Sequence, residues 1–201
     1  MTKRLLLARH GQIEAGYHNQ FIGSTDVGLD ATGRAQATAL AARVARFEPD
    51  VCYCSPGRRC RETADAMHLD LPLHLEERLR EVDFGEWERQ TFDAISRAHP
   101  ELVARWVSFT PEFTFPGGEN LGEFVRRVRG AAEWLRYTDV PTVLAITHGG
   151  VIRMMLCQLL GLDLRKYVAF DVGYASLAVI DLFEDGGVLT ALERGDMTSH
   201  V

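Results

Sequence analysis

Three short apolar segments, each followed by polar residues and a glycine, constrain the fold of this 201-residue chain most. They lie at residues 4–8, 51–54 and 142–146. Short continuous apolar segments of this kind are typical of buried strands, and helical patterns lie between them. Because strands and helices alternate, the sequence predicts an α/β fold: a three-layer sandwich with a mostly parallel central sheet and helices on both faces.

The rest of the chain continues this alternation. Asp30 is placed to cap a helix that Pro49 ends, and Pro56 suits the first turn of the next helix. Further segments predict helices at residues 90–109, 119–137 and 151–160, extended segments at 73–75 and 79–82, and a terminal hairpin at 175–183 and 188–192. Residues from about 85 to 120 form a helical insertion that we expect to lie over the active site. We expect a single domain over residues 1–201.

Charge and composition narrow the classes of partner. The chain has 22 Lys and Arg against 28 Asp and Glu, a formal net charge of −6, which argues against a nucleic-acid coat or a polybasic membrane binder. The apolar segments are shorter than the roughly 18 residues that a bilayer span requires, and the stretch at 5–8 is too short for a secretory signal. The 4 cysteines do not suggest a disulfide framework. We expect a cytoplasmic protein without nucleic-acid or membrane partners; a homodimer stays open.

The predicted strand ends collect the residue types that bind oxyanions. Arg9-His10-Gly11 follows the first strand, residues 55–59 follow the second, and His148-Gly149-Gly150 follows the third. Ligands of open α/β sheets bind at the carboxyl ends of parallel strands. Arginine pairs with phosphate oxygens, and glycine lets backbone N–H groups approach a ligand closely. The sequence therefore predicts a site for a phosphoryl group, and a small-molecule phosphate ester as the partner.

His10 is the candidate nucleophile of this site. One ring nitrogen of a histidine can attack phosphorus near neutral pH while a backbone carbonyl holds the other nitrogen. The alternative is a histidine that only caps a strand end. Two His-Gly pairs after buried strands, one of them preceded by Arg9, favour the catalytic interpretation.

A series of motifs between residues 5 and about 150 resembles a known family. The motifs are Leu7-Ala8-Arg9-His10-Gly11, residues 23–37, Cys54-Ser55-Pro56-Gly57-Arg58-Arg59-Cys60-Arg61-Glu62-Thr63-Ala64, residues 79–88 and Thr147-His148-Gly149-Gly150. In this order they are similar to the histidine phosphatase, or phosphoglycerate mutase-like, superfamily. The resemblance implies that His10 becomes a phosphohistidine, that Arg9, Arg59 and His148 bind the phosphoryl oxygens, and that Glu81 donates a proton to the leaving oxygen. It implies no metal and no cofactor.

Alternatives remain for single residues of these motifs. Glu81 is also placed to pair with Arg78 or Arg80 as a surface carboxylate, and Arg58 and Arg61 are expected on a solvated helix face. The metal-ligand spacings known in proteins do not occur among the remaining histidines, which are His18, His68, His74, His99 and His200.

The first loop departs from the family pattern. Gly16 stands where the family has an asparagine that contacts phosphate, and Gln20 stands where an arginine is frequent. Backbone groups near Gly16 and Gly23 are expected to replace those contacts. The candidate substrate-binding residues are Gly16, Gln20, Gly23, Ser24 and Gly149.

The alcohol half of the substrate is the least constrained part of the prediction. Residues 79–88 and 170–181 resemble the branch of the family that includes alpha-ribazole-5′-phosphate phosphatases. Aromatic side chains of the insertion either stack on a flat base or form helix core: Trp87, Phe92, Trp106, Phe113 and Phe115. The leading hypothesis is a phosphomonoesterase acting on alpha-ribazole 5′-phosphate. The alternatives are a cofactor-dependent phosphoglycerate mutase and a phosphate-binding module without activity.

Overall fold

The computed structural model of the chain describes residues 3–195, which build one six-stranded sheet with helices on both faces. The strands are β1 (Lys3–Arg9), β2 (Val51–Cys54), β3 (Leu73–Leu75), β4 (Thr142–Thr147), β5 (Leu177–Phe183) and β6 (Gly186–Glu193). The helices are α1 (Ala31–Ala45), α2 (Arg58–Met67), α3 (Phe92–Ala98), α4 (Pro100–Val107), α5 (Leu121–Arg136) and α6 (Gly149–Leu159). Short 3₁₀ turns lie at Ala15–Tyr17, Glu77–Leu79, Gly85–Trp87 and Leu164–Ala169.

The sheet order brings three strand ends together. The order is β3-β2-β4-β1-β5-β6; the first four strands are parallel, and β5 and β6 form an antiparallel hairpin at one edge. Arg9 pairs with Thr147, and Cys54 pairs with Ile146. The residues that follow β1, β2 and β4 therefore meet at one edge of the sheet. The predicted α/β fold with a mostly parallel sheet is confirmed.

Alternating side chains of β1 enter two separate cores. Leu5 and Leu7 pack with α5 and α6 and with the aromatic residues of the insertion, whereas Leu6 and Ala8 pack with α1 and α2. The alternation follows from the strand itself, in which successive side chains point to opposite faces. Both faces of the central strands are buried, which explains why residues 5–8 and 143–146 are apolar at every position.

The predicted helix at residues 90–109 is wrong in one respect. The structure has two helices here, α3 and α4, which meet at His99 and Pro100. Proline lacks a backbone N–H and its ring crowds the preceding turn, so the first helix ends and Pro100 starts the second. The backbone of His99 is not helical (φ −138°, ψ 55°) and separates the two helices.

The predicted extended segment at residues 79–82 is also corrected. Leu79 ends the 3₁₀ turn Glu77–Leu79, and the residues after it are irregular. The Glu76 carboxylate accepts the backbone N–H of Arg78, which closes the turn, and the Thr147 hydroxyl donates to the Leu79 carbonyl at 2.6 Å. These contacts attach the segment to the end of β4 instead of to a neighbouring strand.

The first helix packs directly on the chain that follows β1. The side chain of Asp30 accepts the backbone N–H of Gly33 and caps α1, as expected. A Cβ atom on Gly11 would overlap the Gly33 carbonyl, and one on Gly33 would overlap the Gln12 carbonyl. Only glycine permits this backbone approach, which holds the segment after His10 against the first turn of α1.

Candidate active site

Two histidines and an arginine lie buried together beyond the ends of β1, β2 and β4. His10 follows β1, Arg59 lies in the first turn of α2, and His148 caps α6. Their relative exposures are 4%, 2% and 2%. The two imidazole rings are 5.3 Å apart between centroids and meet edge to face. The structure thus brings together three of the residues on which the sequence analysis focused.

The hydrogen bond of His10 defines which ring nitrogen is available for reaction. Nδ1 lies 2.8 Å from the carbonyl oxygen of Gly11. Because a carbonyl oxygen only accepts, Nδ1 carries the proton and Nε2 keeps its lone pair. Burial lowers the pKa of His10 well below 6.5, and the positive charges of Arg59 and Arg9 lower it further. The ring is therefore neutral at pH 7, as a nucleophile must be.

His148 has the opposite tautomer. Its Nδ1 accepts from Nε of Arg59 at 3.1 Å, so Nε2 carries the proton and donates to the Ser55 hydroxyl at 2.8 Å. Burial lowers the pKa of His148 well below its usual value, and the Arg59 charge adds to this. His148 thus presents an N–H donor at the strand ends without a charge of its own.

Arg59 is held by the loop that follows the first 3₁₀ turn. Its guanidinium donates to the carbonyls of Ile22, Gly23 and Thr25 at 2.8–3.3 Å. Within residues 3–195 no carboxylate lies within ion-pair distance of it. The positive charge of Arg59 is therefore fixed in place but not neutralised.

Arg9 is a second cation beside His10, half-buried, and its charge also has no carboxylate partner among the described residues. Nη1 donates to the Val172 carbonyl at 2.7 Å, and the guanidinium lies 4.4 Å from the ring centroid of Tyr174. Its buried Nε has no hydrogen-bond partner among the described residues. An unpaired buried N–H costs free energy, which an anionic ligand at this position would recover.

Glu81 lies in the site and not in a surface ion pair. Its carboxylate accepts the backbone N–H of Gly150 at 2.9 Å and that of Val82 at 3.1 Å. Arg78 pairs with Glu76, and Arg80 pairs with Glu77. The alternative interpretation, a surface pair with Arg78 or Arg80, is therefore wrong.

Arg58 pairs with Glu62 on the outer face of α2, as expected for a solvated arginine.

Two cavities meet at Glu81. The first, here called the aromatic cavity, has a volume of about 430 Å³ and is lined by Phe21, Phe84, Trp106, Phe109, Phe115 and Tyr167, with Arg9 and Arg153. The second, here called the polar cavity, has about 340 Å³ and is lined by Ser24, Thr25, Ser55, Arg59, Asp83 and His148. Glu81 lines both cavities. A carboxylate at this junction is positioned to exchange a proton between groups on either side.

The candidate substrate-binding residues occupy different places. Gly149 and Gln20 line the aromatic cavity, although the Gln20 amide donates to the Gly16 carbonyl at 3.1 Å. Gly23 and Ser24 line the polar cavity. Gly16 lies in the 3₁₀ turn Ala15–Tyr17, outside the residues that line either cavity.

Glu88 engages the loop donors that were expected to replace the missing side chains. Its carboxylate accepts the backbone N–H groups of Gly23, Ser24 and Thr25 at 2.9–3.3 Å. The Ser24 hydroxyl donates to Asp83 at 2.8 Å. The N–H groups at Gly23 and Ser24 thus point to a protein carboxylate, whereas the carbonyls of the same loop hold Arg59. Glu88 positions Arg59 through this loop.

Aromatic residues of the insertion divide between core and cavity. Trp87 and Phe113 are buried and pack against each other in the core. Trp106 and Phe115 also line the aromatic cavity, whereas Phe92 is exposed. The core interpretation therefore holds for Trp87 and Phe113. Trp106 and Phe115 line the aromatic cavity together with Phe21 and Phe84, and these rings meet edge to face at 60–88°.

Three further residues lie at the site or line the aromatic cavity without standing in a sequence motif: Arg153, Tyr174 and Phe21. Tyr174 contacts both Arg9 and His10, and Phe21 stacks edge to face on Phe84. Arg153 lies in an apolar helical segment whose pattern indicates core. Its spacing from Gly149, one helical turn, is the signal that could have placed it near the site.

Comparison with known proteins identifies the family of the chain. The model of the histidine phosphatase superfamily (branch 1) matches residues 5–194. The chain belongs to this family. It is 33% identical to phosphoserine phosphatase 1 of Hydrogenobacter thermophilus, over 98% of this chain and 94% of that protein. It is 28% identical to the adenosylcobalamin/alpha-ribazole phosphatase of Salmonella typhimurium, over 94% and 95%.

Solved structures of family members share the fold. The alpha-ribazole phosphatase of Shigella flexneri superposes with a TM-score of 0.83 at 26% identity, covering 98% of this chain and 100% of that one. The predicted family and the predicted class of enzyme, a phosphatase, are confirmed. The relatives differ in the alcohol half that their names specify, so the substrate is a separate question.

Further sequence expectations concern the cysteines, membrane spans and metal sites. Cys52, Cys54, Cys60 and Cys157 are buried free thiols. Within residues 3–195 no helix has the length and apolar character to cross a membrane, and no group of three or more His, Cys, Asp and Glu side chains has the arrangement of a metal site. His200 lies outside the described residues.

The two buried neutral histidines predict a specific pH dependence of stability. Because their pKa values are lowered on folding, the unfolded chain binds protons first as the pH falls below 6.5. The free energy of unfolding should therefore decrease from about pH 6.5 downward, by up to about 1.4 kcal/mol per pH unit for each histidine. Urea denaturation between pH 7.5 and 5 measures this slope.

His10→Asn should reduce the pH slope of the unfolding free energy by the contribution of one histidine, up to about 1.4 kcal/mol per pH unit. His99→Asn is the matched control, since His99 is exposed, and should keep the wild-type slope. Equal slopes in all three proteins would contradict the assignment of buried neutral imidazole to His10.

Proposed function

We propose that the chain hydrolyses small-molecule phosphomonoesters through a phosphohistidine at His10. The observation that supports this most is the state of His10: a neutral ring whose Nδ1–H binds the Gly11 carbonyl, with Nε2 free beside two guanidinium groups that no described carboxylate neutralises. Fixed positive charge around the equatorial oxygens is the main requirement for attack on a phosphate dianion.

In the proposed first step, Nε2 of His10 attacks phosphorus and the bond between phosphorus and the ester oxygen breaks. Arg9, Arg59 and His148 bind the phosphoryl oxygens as charge develops on them, and the Nε2–H of His148 exchanges the Ser55 hydroxyl for a phosphoryl oxygen as its acceptor. Glu81, in its protonated form, gives its proton to the departing oxygen, because an alkoxide is a poor leaving group. The alcohol leaves through the aromatic cavity.

In the second step, water attacks the phosphohistidine. Glu81, now a carboxylate, takes a proton from that water, the bond between Nε2 and phosphorus breaks, and inorganic phosphate leaves with His10 neutral again. Glu81 suits both steps because it lies at the junction of the two cavities and is held there by the Gly150 N–H. A phosphate-binding module without activity would have no use for a carboxylate at this point, since it repels the anion.

Alpha-ribazole 5′-phosphate is the substrate that we propose first. The aromatic cavity adjoins Glu81 and Arg9, and Trp106, Phe115 and Phe84 offer it aromatic walls. A flat heterocycle such as a benzimidazole is bound well by rings of this kind. The names of the Salmonella and Shigella relatives point the same way, and the name of the Hydrogenobacter relative points to phosphoserine.

The proton transfer from Glu81 predicts a difference between leaving groups. Glu81→Gln should slow the hydrolysis of alkyl phosphates by about 10²- to 10⁴-fold, because the amide cannot protonate an alkoxide. The loss on p-nitrophenyl phosphate should be much smaller, since p-nitrophenolate leaves without a proton. Initial rates on both substrates test this, with Glu77→Gln, an exposed carboxylate, as the matched control. The same loss on both substrates would remove Glu81 from the role of acid.

A panel of phosphate esters tests the substrate and separates the phosphatase from a mutase. We expect the highest kcat/KM with alpha-ribazole 5′-phosphate, compared with phosphoserine, glycerol phosphate and 3-phosphoglycerate, measured as released phosphate. A mutase would convert 3-phosphoglycerate to 2-phosphoglycerate after priming with 2,3-bisphosphoglycerate, without releasing phosphate. That result would replace the phosphatase proposal, and a higher kcat/KM with phosphoserine would replace alpha-ribazole phosphate.

A further inference from the structure

Arg153 is a cation of the aromatic cavity that the proposed mechanism does not use. It lies on α6, is half-buried, and lines the cavity with Arg9 and Glu81. Its Nε donates to the Phe170 carbonyl at 3.0 Å, which fixes the plane of the guanidinium. Among the described residues, no group accepts a hydrogen bond from the two Nη groups of Arg153, so both are available to a ligand.

The charge of Arg153 is not neutralised. Among residues 3–195, no Asp or Glu oxygen lies within ion-pair distance of it, although ion pairs are frequent on the surface of this acidic chain. Arg9, its neighbour, also lacks a carboxylate partner. Two cations in a largely apolar cavity repel each other and lose hydration, so a ligand with acceptor oxygens would relieve both costs.

Arg153 lies close to the position that the proposed mechanism gives to the ester oxygen. A Cβ on Gly149 would lie 3.2 Å from Nη1 of Arg153 and 3.4 Å from Cζ of Arg9, so both guanidinium groups flank the same backbone position. The next residue, Gly150, binds Glu81 through its N–H. The leaving oxygen that Glu81 protonates must therefore lie near the first turn of α6, and Arg153 is one turn further into the cavity that holds the alcohol half.

We propose that Arg153 is a specificity-determining residue, whose Nη groups bind acceptor oxygens that the alcohol half carries a few bonds from the ester oxygen. The inference rests on the proposed function and adds the group that the site recognises. A planar guanidinium fork suits a carboxylate best, as on phosphoserine, and it also suits the hydroxyl and ring oxygens of a ribose. Both are oxygen acceptors, and the substrates of the test distinguish them.

The experiment compares three esters in wild type, Arg153→Met and Arg153→Lys. Phosphoserine carries a carboxylate, alpha-ribazole 5′-phosphate carries ribose oxygens, and phenyl phosphate carries no acceptor on its alcohol half. In Arg153→Met, kcat/KM for the ester that Arg153 recognises should fall about 10- to 100-fold more than for phenyl phosphate, mainly through KM. Arg153→Lys should be intermediate, because the charge remains and the fork is lost.

Arg126→Met is the matched control, since Arg126 is an exposed arginine on α5 away from both cavities. A selective loss on phosphoserine assigns Arg153 to a carboxylate, and a selective loss on alpha-ribazole 5′-phosphate assigns it to ribose oxygens. Equal losses on all three esters, or no loss on any, would overturn the proposal.

Binding measurements keep this test separate from the proposed function. If wild type hydrolyses none of the esters, the phosphohistidine proposal fails while Arg153 can still be tested. Calorimetric titration of His10→Ala with the same three esters, with and without Arg153→Met, then reports recognition alone. Weaker binding of an oxygen-bearing ester relative to phenyl phosphate supports the role of Arg153, and an unchanged ratio rejects it.

Discussion

A neutral imidazole held between guanidinium groups is the constraint on which the rest of this site depends. His10 stays uncharged because it is buried and faces Arg9 and Arg59, and its reactive nitrogen is selected by one hydrogen bond to the Gly11 carbonyl. The arrangement is unfavourable for the empty protein, since buried cations without counter-ions repel each other. A phosphate dianion supplies the missing charge. Positive charge without a counter-ion therefore lowers the stability of the protein without ligand and favours the binding of an anion.

Two charged side chains outside the set of proposed catalytic residues, Glu88 and Arg127, hold this arrangement in place through hydrogen bonds to the backbone. Glu88 gathers the backbone N–H groups of the loop whose carbonyls fix Arg59. Arg127, paired with Glu119, donates to the carbonyls of Arg78, Arg80 and Glu81, and so fixes the segment that carries Glu81, the proposed proton donor. The Glu88 carboxylate thus orients the loop that holds Arg59, and the Arg127 guanidinium orients the segment that carries Glu81. Catalytic groups held by packed, hydrogen-bonded neighbours keep their geometry when the substrate binds.

Much of the fold followed from the sequence because its signals are local. Apolar segments that end at His10, Ser55 and His148 mark the strand ends, and parallel strands bring those ends to one edge. The helix break at Pro100 was missed because the amphipathic period continues on both sides of the proline. The role of Glu88 depends on a turn that returns to residues 23–25 from far along the chain, which no local pattern reports. Arg153 stands in an apolar helix, where its neighbours indicate core and conceal its contact with the cavity.

The direct test of the central claim is to trap the enzyme during turnover and locate the phosphoryl group. The protein is mixed with excess substrate, quenched in alkali, where phosphohistidine survives, and its peptides are sequenced by mass spectrometry. The account predicts a phosphoryl group on the peptide that contains His10, absent from His10→Ala and short-lived when substrate is exhausted. Turnover with the adduct on His148, or with no covalent adduct at all, would contradict it.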